Sequence, residues 1–494
     1  MLTLELEKLI NSLSGPEKKT FKLHCAKLQG PKDYLTLFDL ATEQASGDNQ
    51  PLKQRFKERY PTKSFENTSN YLYKVLTDVL VQIRIEQDTW YQQHQSLMKA
   101  RLCFERSIPD RARKELQKAF KLASGNQNHA MAYQAARMEL TALTDMGFPG
   151  VTEQQLVDKQ MKAKHLLQLL RQLHEHFALY ELLSHRLTKG AFNVDGKQDK
   201  WVNDLVLSEL SLTTRGSRHQ FEPQKLHLLF QSFFFIHTGD YRSALRIFND
   251  LNRLIETNES MWDYPPYDYL SALDGILDSL RSIGYYQEMV LFIDKVAMLA
   301  KRAYPDHFKS LAVLTFQVYK LNMHLGLGSY DTAVQWITAN NGERHQLSIM
   351  NSHEKQLEYA YFEGLTYFVT KQWHKANRCL RRLLTNDRQD ARFPVYRAGR
   401  LLYVLLRYEQ DEMAYLEYEI RSYKRAFGKL GKAYKVEKLI FNTISMDPKR
   451  RGNAWKASTR KKIAAQVHDI RKEKKELQLL KFFRYDNWVL SKYE

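Results

Sequence analysis

Four times between residues 225 and 385 the chain returns to one pattern: a long apolar helix, a short turn, an aromatic, and two packing residues at fixed offsets. Tyr241 leads to Ala244 and Phe248, Tyr286 to Met289 and Ile293, Tyr330 to Ala333 and Ile337, and Trp373 to Ala376 and Leu380. The aromatics lie 45, 44 and 43 residues apart. A recurrence of that length belongs to stacked supersecondary units, none of which can bury its apolar face alone. Composition agrees. With 20 Gly and 12 Pro in 494 residues the chain is too poor in turn formers for an all-β fold with a turn every ~10 residues, and 43% apolar residues suffice for a continuous core. The expected fold class is all-α.

The copies resemble the tetratricopeptide repeat, a unit of about 34 residues with two helices, in which a small residue early in the second helix is followed four positions later by a large one. Ala244, Ala333 and Ala376 would let the second helix approach the first, and Phe248, Ile337 and Leu380 would fill the space toward the next pair. Gly364 and Tyr367 fall on the family's small and aromatic first-helix positions. The period here is longer by about ten residues, and Met289 stands where one copy should have a small residue. The resemblance implies a right-handed α-solenoid of antiparallel helix pairs, with the four aromatics in equivalent seats. It carries no activity with it.

In the chaperone-binding members of that family the first helices line a concave surface where Lys, Arg and Asn clamp a peptide carboxylate. Here the matching positions are Leu229, Phe233 and Ile236 in one copy, Val318, Asn322 and Leu325 in another, and Tyr361, Leu365 and Phe368 in a third. They are mostly apolar, which argues against a carboxylate clamp; only Asp274, Asp278 and Arg281 put charge on that surface. Two occupants fit an apolar groove of this kind: an amphipathic helix of a protein partner, or the chain's own C-terminal segment.

Around the repeats the chain divides by pattern. Residues 1–86 read as a small N-terminal helical bundle, in which Ser14-Gly15-Pro16-Glu17 signals a helix start and Gly30-Pro31 and Ser46 to Pro51 signal stops. A DNA-reading helix-turn-helix would need outward Arg, Asn, Gln or Lys at the start of its recognition helix, and packing units are the commoner use of such bundles. Residues 87–220 read as helix pairs, with Ala112, Leu116 and Ala119 on one face, a long helix from about 157 to 187, and an irregular connection from Gly190 to Gly216. Residues 221–427 hold the repeats, and 428–494 a basic capping helix with an aromatic tail.

Charge is concentrated at that end. The chain has a net charge of +19, and residues 421–494 hold 21 Lys plus Arg against 7 Asp plus Glu, which is +14. Lys449, Arg450, Arg451, Lys456, Arg460, Lys461 and Lys462 form a basic run around Trp455. Such a run can contact nucleic-acid phosphates while the indole stacks on a base, lie on a membrane surface, or serve as the solvated face of a capping helix. Ile463, Val467, Ile470, Leu477 and Lys481 are expected on one stripe of one helix docking on the last repeat, leaving Arg471, Lys472, Lys474 and Lys475 in water. Phe482, Phe483, Tyr485, Trp488 and Val489 look like an anchoring plug.

Signatures of catalysis are missing from the sequence. There is no GxGxxG after a strand, no GxxxxGK[ST] and no HExxH, and His174 and His176 stand two apart, on different helix faces. Gly428-Lys429-Leu430-Gly431-Lys432 lacks the glycine that a phosphate loop requires. Cys25, Cys103 and Cys379 form no CxxC, which fits a reducing compartment. No secretory signal opens the sequence, and no apolar run approaches the ~20 residues of a bilayer span, so a cytoplasmic protein is expected. Leu6-Glu7-Lys8-Leu9-Ile10, Ser12-Leu13-Ser14 and Asn70-Tyr71-Leu72-Tyr73 also resemble an uncharacterised group of bacterial helical-repeat proteins, which implies no activity. The reading is a non-catalytic interaction scaffold or adaptor without cofactor or metal, holding a protein partner through Leu229, Phe233, Ile236, Asn322, Tyr361, Leu365 and Phe368. Its rival is an RNA- or DNA-associated factor acting through the basic segment.

Overall fold

The computed structural model describes residues 2–27, 32–44, 51–190, 197–213, 220–340, 353–384, 393–427 and 433–494. Gly30-Pro31, most of the Ser46 to Pro51 turn and the Gly428 to Lys432 stretch lie outside the described residues. All regular structure among the described residues is helical. The chain divides into two compact units, one comprising Met1–Leu173 with Ala303–Phe308, the other His174–Arg302 with Lys309–Glu494.

In the first unit, α1 (Leu2–Asn11), α2 (Gly15–Lys27), α3 (Asp33–Gln44), α4 (Leu52–Arg59) and α5 (Phe65–Gln87) enclose a core that includes Leu6, Ile10, Phe21, Phe38, Phe56, Leu72 and Leu76. The helix start at Ser14 forms as its sequence demands: the Ser14 N–H and hydroxyl both donate to the Glu17 carboxylate, at 2.9 and 2.8 Å. Arg84 of α5 then pairs with Glu17 at 3.2 Å. Next come α6 (Thr89–Glu105), α7 (Pro109–Gly125), α8 (His129–Asp145) and α9 (Glu153–Gly190), whose second half enters the other unit. Ala112, Leu116 and Ala119 of α7 are buried, which permits close helix approach.

The second unit begins with that half of α9 and with α10 (Lys197–Thr213), which occupies the stretch expected to be an irregular connection. Tertiary contact overrides the turn-rich composition there: Leu205 packs with Leu183 and Phe230, and Glu209 is buried against His227. The stretch expected to hold the repeats follows as α11 (Phe221–Thr238), α12 (Tyr241–Thr257), α13 (Tyr267–Ile283), α14 (Met289–Lys301), α15 (Asp306–Gly326), α16 (Tyr330–Ala339), α17 (His353–Val369), α18 (Trp373–Leu383), α19 (Pro394–Glu409) and α20 (Met413–Phe427). Helices adjacent in sequence pack on one another, α11 on α12, α12 on α13, α13 on α14, α17 on α18, α18 on α19 and α19 on α20.

The two packing positions behave alike in every copy. Ala244, Met289, Ala333 and Ala376 are each 0% exposed, and Phe248, Ile293, Ile337 and Leu380 no more than 1%. The four aromatics do not share equivalent seats. Tyr241, Tyr330 and Trp373 each open a helix, whereas Tyr286 precedes α14 by three residues. Tyr241 is 2% exposed, Tyr330 is 43% exposed, and Tyr286 and Trp373 are half-buried. A ring at the first position of a helix is covered only if another element passes over it, and Tyr241 has Lys481 of the C-terminal segment above its face, 5.4 Å from the centroid.

One turn geometry recurs where sequence identity does not. Gly239, Gly328, Lys371 and Asp411 all adopt positive φ, and the N–H after each bonds to the carbonyl five residues back: Asp240 to Phe235, Ser329 to His324, Gln372 to Tyr367, Glu412 to Arg407. This is a helix-ending motif that satisfies orphan carbonyls and starts a new helix two residues later. Ser107 and Gln127 build the same turn before α7 and α8.

The C-terminal segment consists of α21 (Lys435–Met446), α22 (Asn453–Lys472), α23 (Leu477–Leu480) and α24 (Tyr485–Ser491). The single stripe expected from Ile463 to Lys481 is broken, because α22 ends at Lys472 and a 3-10 turn, Lys474–Glu476, redirects the chain. The bend brings the Glu476 carboxylate onto the free N–H groups of Lys435 and Val436 at the start of α21, at 2.7 and 3.1 Å.

Candidate functional site

The apolar surface expected to receive a partner is where the second unit buries its own C-terminal segment. Tyr361 is fully buried, its ring centroid 5.7 Å from that of Phe482 and its hydroxyl 3.2 Å from that of Tyr485, which donates to the Ala398 carbonyl at 2.8 Å. Phe368 lies 6.1 Å from Phe483, ring to ring, and Leu365 is buried in the same core. The Trp488 indole N–H donates to Glu409 at 2.8 Å, and its ring meets Tyr408 edge-on. Leu229 and Asn322 are also buried, while Phe233 and Ile236 are half-buried. Tyr361 and Phe368 therefore face the chain's own tail.

Beneath that tail runs a buried ionic network. Asp278 and Arg281 of α13 pair with each other at 2.7 Å; Arg281 reaches Glu358 of α17 at 2.7 Å; Lys355 bridges Glu358 at 2.7 Å and Asp274 at 2.5 Å. Lys481, expected among apolar residues of a helix stripe, instead inserts its amine between both Asp278 oxygens, at 2.9 and 3.1 Å. Burial alone would push these carboxyls up; the neighbouring cations outweigh it, holding Asp278 below the usual carboxylate range and Glu358 at about 2. Asp274, Asp278 and Arg281 were the sequence signal for this network. Their partners on α17 and in the tail lie about 80 to 200 residues away, beyond any local pattern.

The basic run sits on the last turns before α22 and along that helix. Lys449 has a structural role, donating to the Tyr408 carbonyl at 2.9 Å with Glu409 at 3.4 Å. Arg450 pairs with Asp447 at 3.0 Å and Arg460 with Glu494 at 3.0 Å. Trp455 is half-buried, 6.0 Å from Tyr493 and 5.6 Å from the Arg451 guanidinium, so a stacked base would have to displace these neighbours. Lys456, Lys461, Lys462 and Lys472 make no ion pair among the described residues. Ile463, Val467 and Ile470 turn inward.

A further concavity, with no local signal in the sequence, lies in the first unit. A cavity of about 1020 Å³ is lined by α6, α8 and α9, with Phe104, Tyr133, Met138 and Leu170 among its apolar groups and Arg101, Gln134, Arg137 and Asp145 among its polar ones. Phe104, Tyr133 and Met138 are only half-buried. Helical spacing alone assigns such residues to the core, and nothing local signals that α9 leaves them uncovered. Among the described residues there is no grouping of three or more His, Cys, Asp or Glu fit to hold a metal ion, and no helix long and apolar enough to cross a membrane. No protein-family model and no curated protein sequence matches the chain.

Proposed function

We propose that this chain is a non-catalytic cytoplasmic scaffold built on a right-handed, tetratricopeptide-like solenoid of antiparallel helix pairs, and that it holds a protein partner in the open groove of its first unit. The observation that carries this reading is the contrast between two concave surfaces. Tyr361 and Phe368 of α17 meet the chain's own tail, whereas the groove of α6, α8 and α9 keeps about 1020 Å³ open. An aromatic and aliphatic floor with charged groups of both signs at its edge suits an amphipathic helix, whose apolar face would cover Phe104, Tyr133 and Met138. The test is capture from nuclease-treated cytosol on the full chain, compared with Gln134→Lys and Thr141→Lys, two exposed positions of the groove. Partners retained after nuclease and lost from the groove variants support the reading; partners indifferent to both substitutions overturn it.

The four unpaired lysines of the α22 region favour a second reading, association with RNA or DNA. Each phosphate contact should add about 0.9 to the slope of log affinity against log salt. Replacing Lys456, Lys461, Lys462 and Lys472 by Gln should flatten that slope on a mixed single-strand oligonucleotide. Binding without salt dependence, or unchanged by the replacements, contradicts it.

A further inference from the structure

A second cavity, of about 370 Å³, lies wholly within the second unit, where α9, α11, α17 and the start of α19 meet Gln478 and Lys481 of the C-terminal segment. Its apolar walls include Leu187, Phe233, Ile236 and Phe393. The Tyr241 side chain, 2% exposed, lies against the Lys481 amine. Glu354 makes neither ion pair nor hydrogen bond among the described residues.

Among the described residues, Asp274, Asp278 and Glu358 are matched by Arg281, Lys355 and Lys481, and Glu354 is a further carboxylate outside these pairs. Glu354 lines the cavity, where desolvation, reinforced by the negative charge of Glu358, pushes its carboxyl up. Lys481, the cation on the same lining, is committed to both oxygens of Asp278. Among the described residues the lining offers an anionic ligand no uncommitted lysine or arginine. A positive group on an aliphatic stem would neutralise Glu354 and lay its methylenes against Phe233 and Ile236.

We propose that this cavity binds an alkylammonium or alkylguanidinium group, presented by a lysine or arginine side chain of a peptide or by a free amine. The volume is near the lower end for small-molecule sites, about 300 Å³ and upward, and admits a group of that size. This inference is independent of the groove in the first unit and survives if that groove binds nothing.

Calorimetry on the full chain tests it, with cadaverine, agmatine and a short neutral peptide bearing one lysine as cationic probes and 1-pentanol as the uncharged control. Cationic probes should bind the wild type and pentanol should not. Glu354→Gln, which removes only the charge, should weaken binding about tenfold or more, the size expected of a charge-assisted hydrogen bond, and Glu354→Asp should keep most of it. Thermal melts check that each variant remains folded. Tighter binding of the peptide identifies a protein side chain as the natural occupant, and equal or tighter binding of the free amines identifies a small amine. Failure of every cationic probe at millimolar concentration, equal affinity in a folded Glu354→Gln variant, or pentanol binding as well as cadaverine overturns the proposal.

Discussion

Gly239 carries two constraints at once. Its φ of +75° is a conformation that a Cβ disfavours, and a Cβ built there would lie 2.2 Å from the Lys474 carbonyl oxygen. Gly284 has the same backbone demand, φ +82°, but open space around it. Gly284→Ala should therefore cost about 1 to 2 kcal/mol from backbone strain alone, and Gly239→Ala clearly more, since a backbone carbonyl cannot swing aside as a side chain can. Chemical denaturation of both variants checks the order; equal losses would contradict the close approach of Lys474 to this turn. Lys371 and Asp411 show the limit of reading such turns from residue type, because they adopt the same left-handed conformation without being glycine. The hydrogen bonds of the turn and the packing around it enforce what residue preference would not choose.

At the level of elements, the small and large packing positions were legible because close helix approach leaves few residue types that fit. Ala244 and Phe248 could be placed in the core from spacing alone, and Phe248 is seated against Gly275 of α13, where an added Cβ would come within 2.2 Å of its ring. The environment of Tyr241 was not legible, since it depends on Lys481, some 240 residues later. The tie between α13 and the tail has a measurable consequence. Removing Asp278 leaves Lys481 and Arg281 buried without one of their counter-ions, so Asp278→Ala should destabilise by about 3 to 5 kcal/mol. The double change Asp278→Leu with Lys481→Met should recover much of that, because a buried pair exchanged for apolar groups of similar size is often neutral. A double variant no more stable than Asp278→Ala would show that the pair is not the source of the loss.

For the whole molecule, the buried network predicts a direction with pH. The folded pKa of Glu358 is about 2, below its ordinary 4.5, as Lys355 and Arg281 outweigh burial. Below the ordinary value the unfolded chain binds a proton that the folded one does not, so this group's stabilisation is present above pH 4.5 and is lost as pH falls toward 2. Denaturation midpoints measured across that interval should fall on acidification, with a smaller pH-dependent part in Glu358→Gln; a midpoint indifferent to pH there would contradict the network. The all-helical class was visible in the sequence because periodicity is local. The burial of Tyr361 and Phe368 beneath the tail was not, because it is decided by which segment returns to cover which helices.

Hydrogen exchange on the intact chain bears most directly on that burial. Amides of Leu479 to Val489 should exchange as slowly as those of α17 and α19, since Tyr485 and Val489 are wholly buried within the same core. Exchange of that segment within seconds, with α17 and α19 still protected, would mean that the tail does not occupy the concave surface and that the apolar groove of the second unit is free for a partner after all.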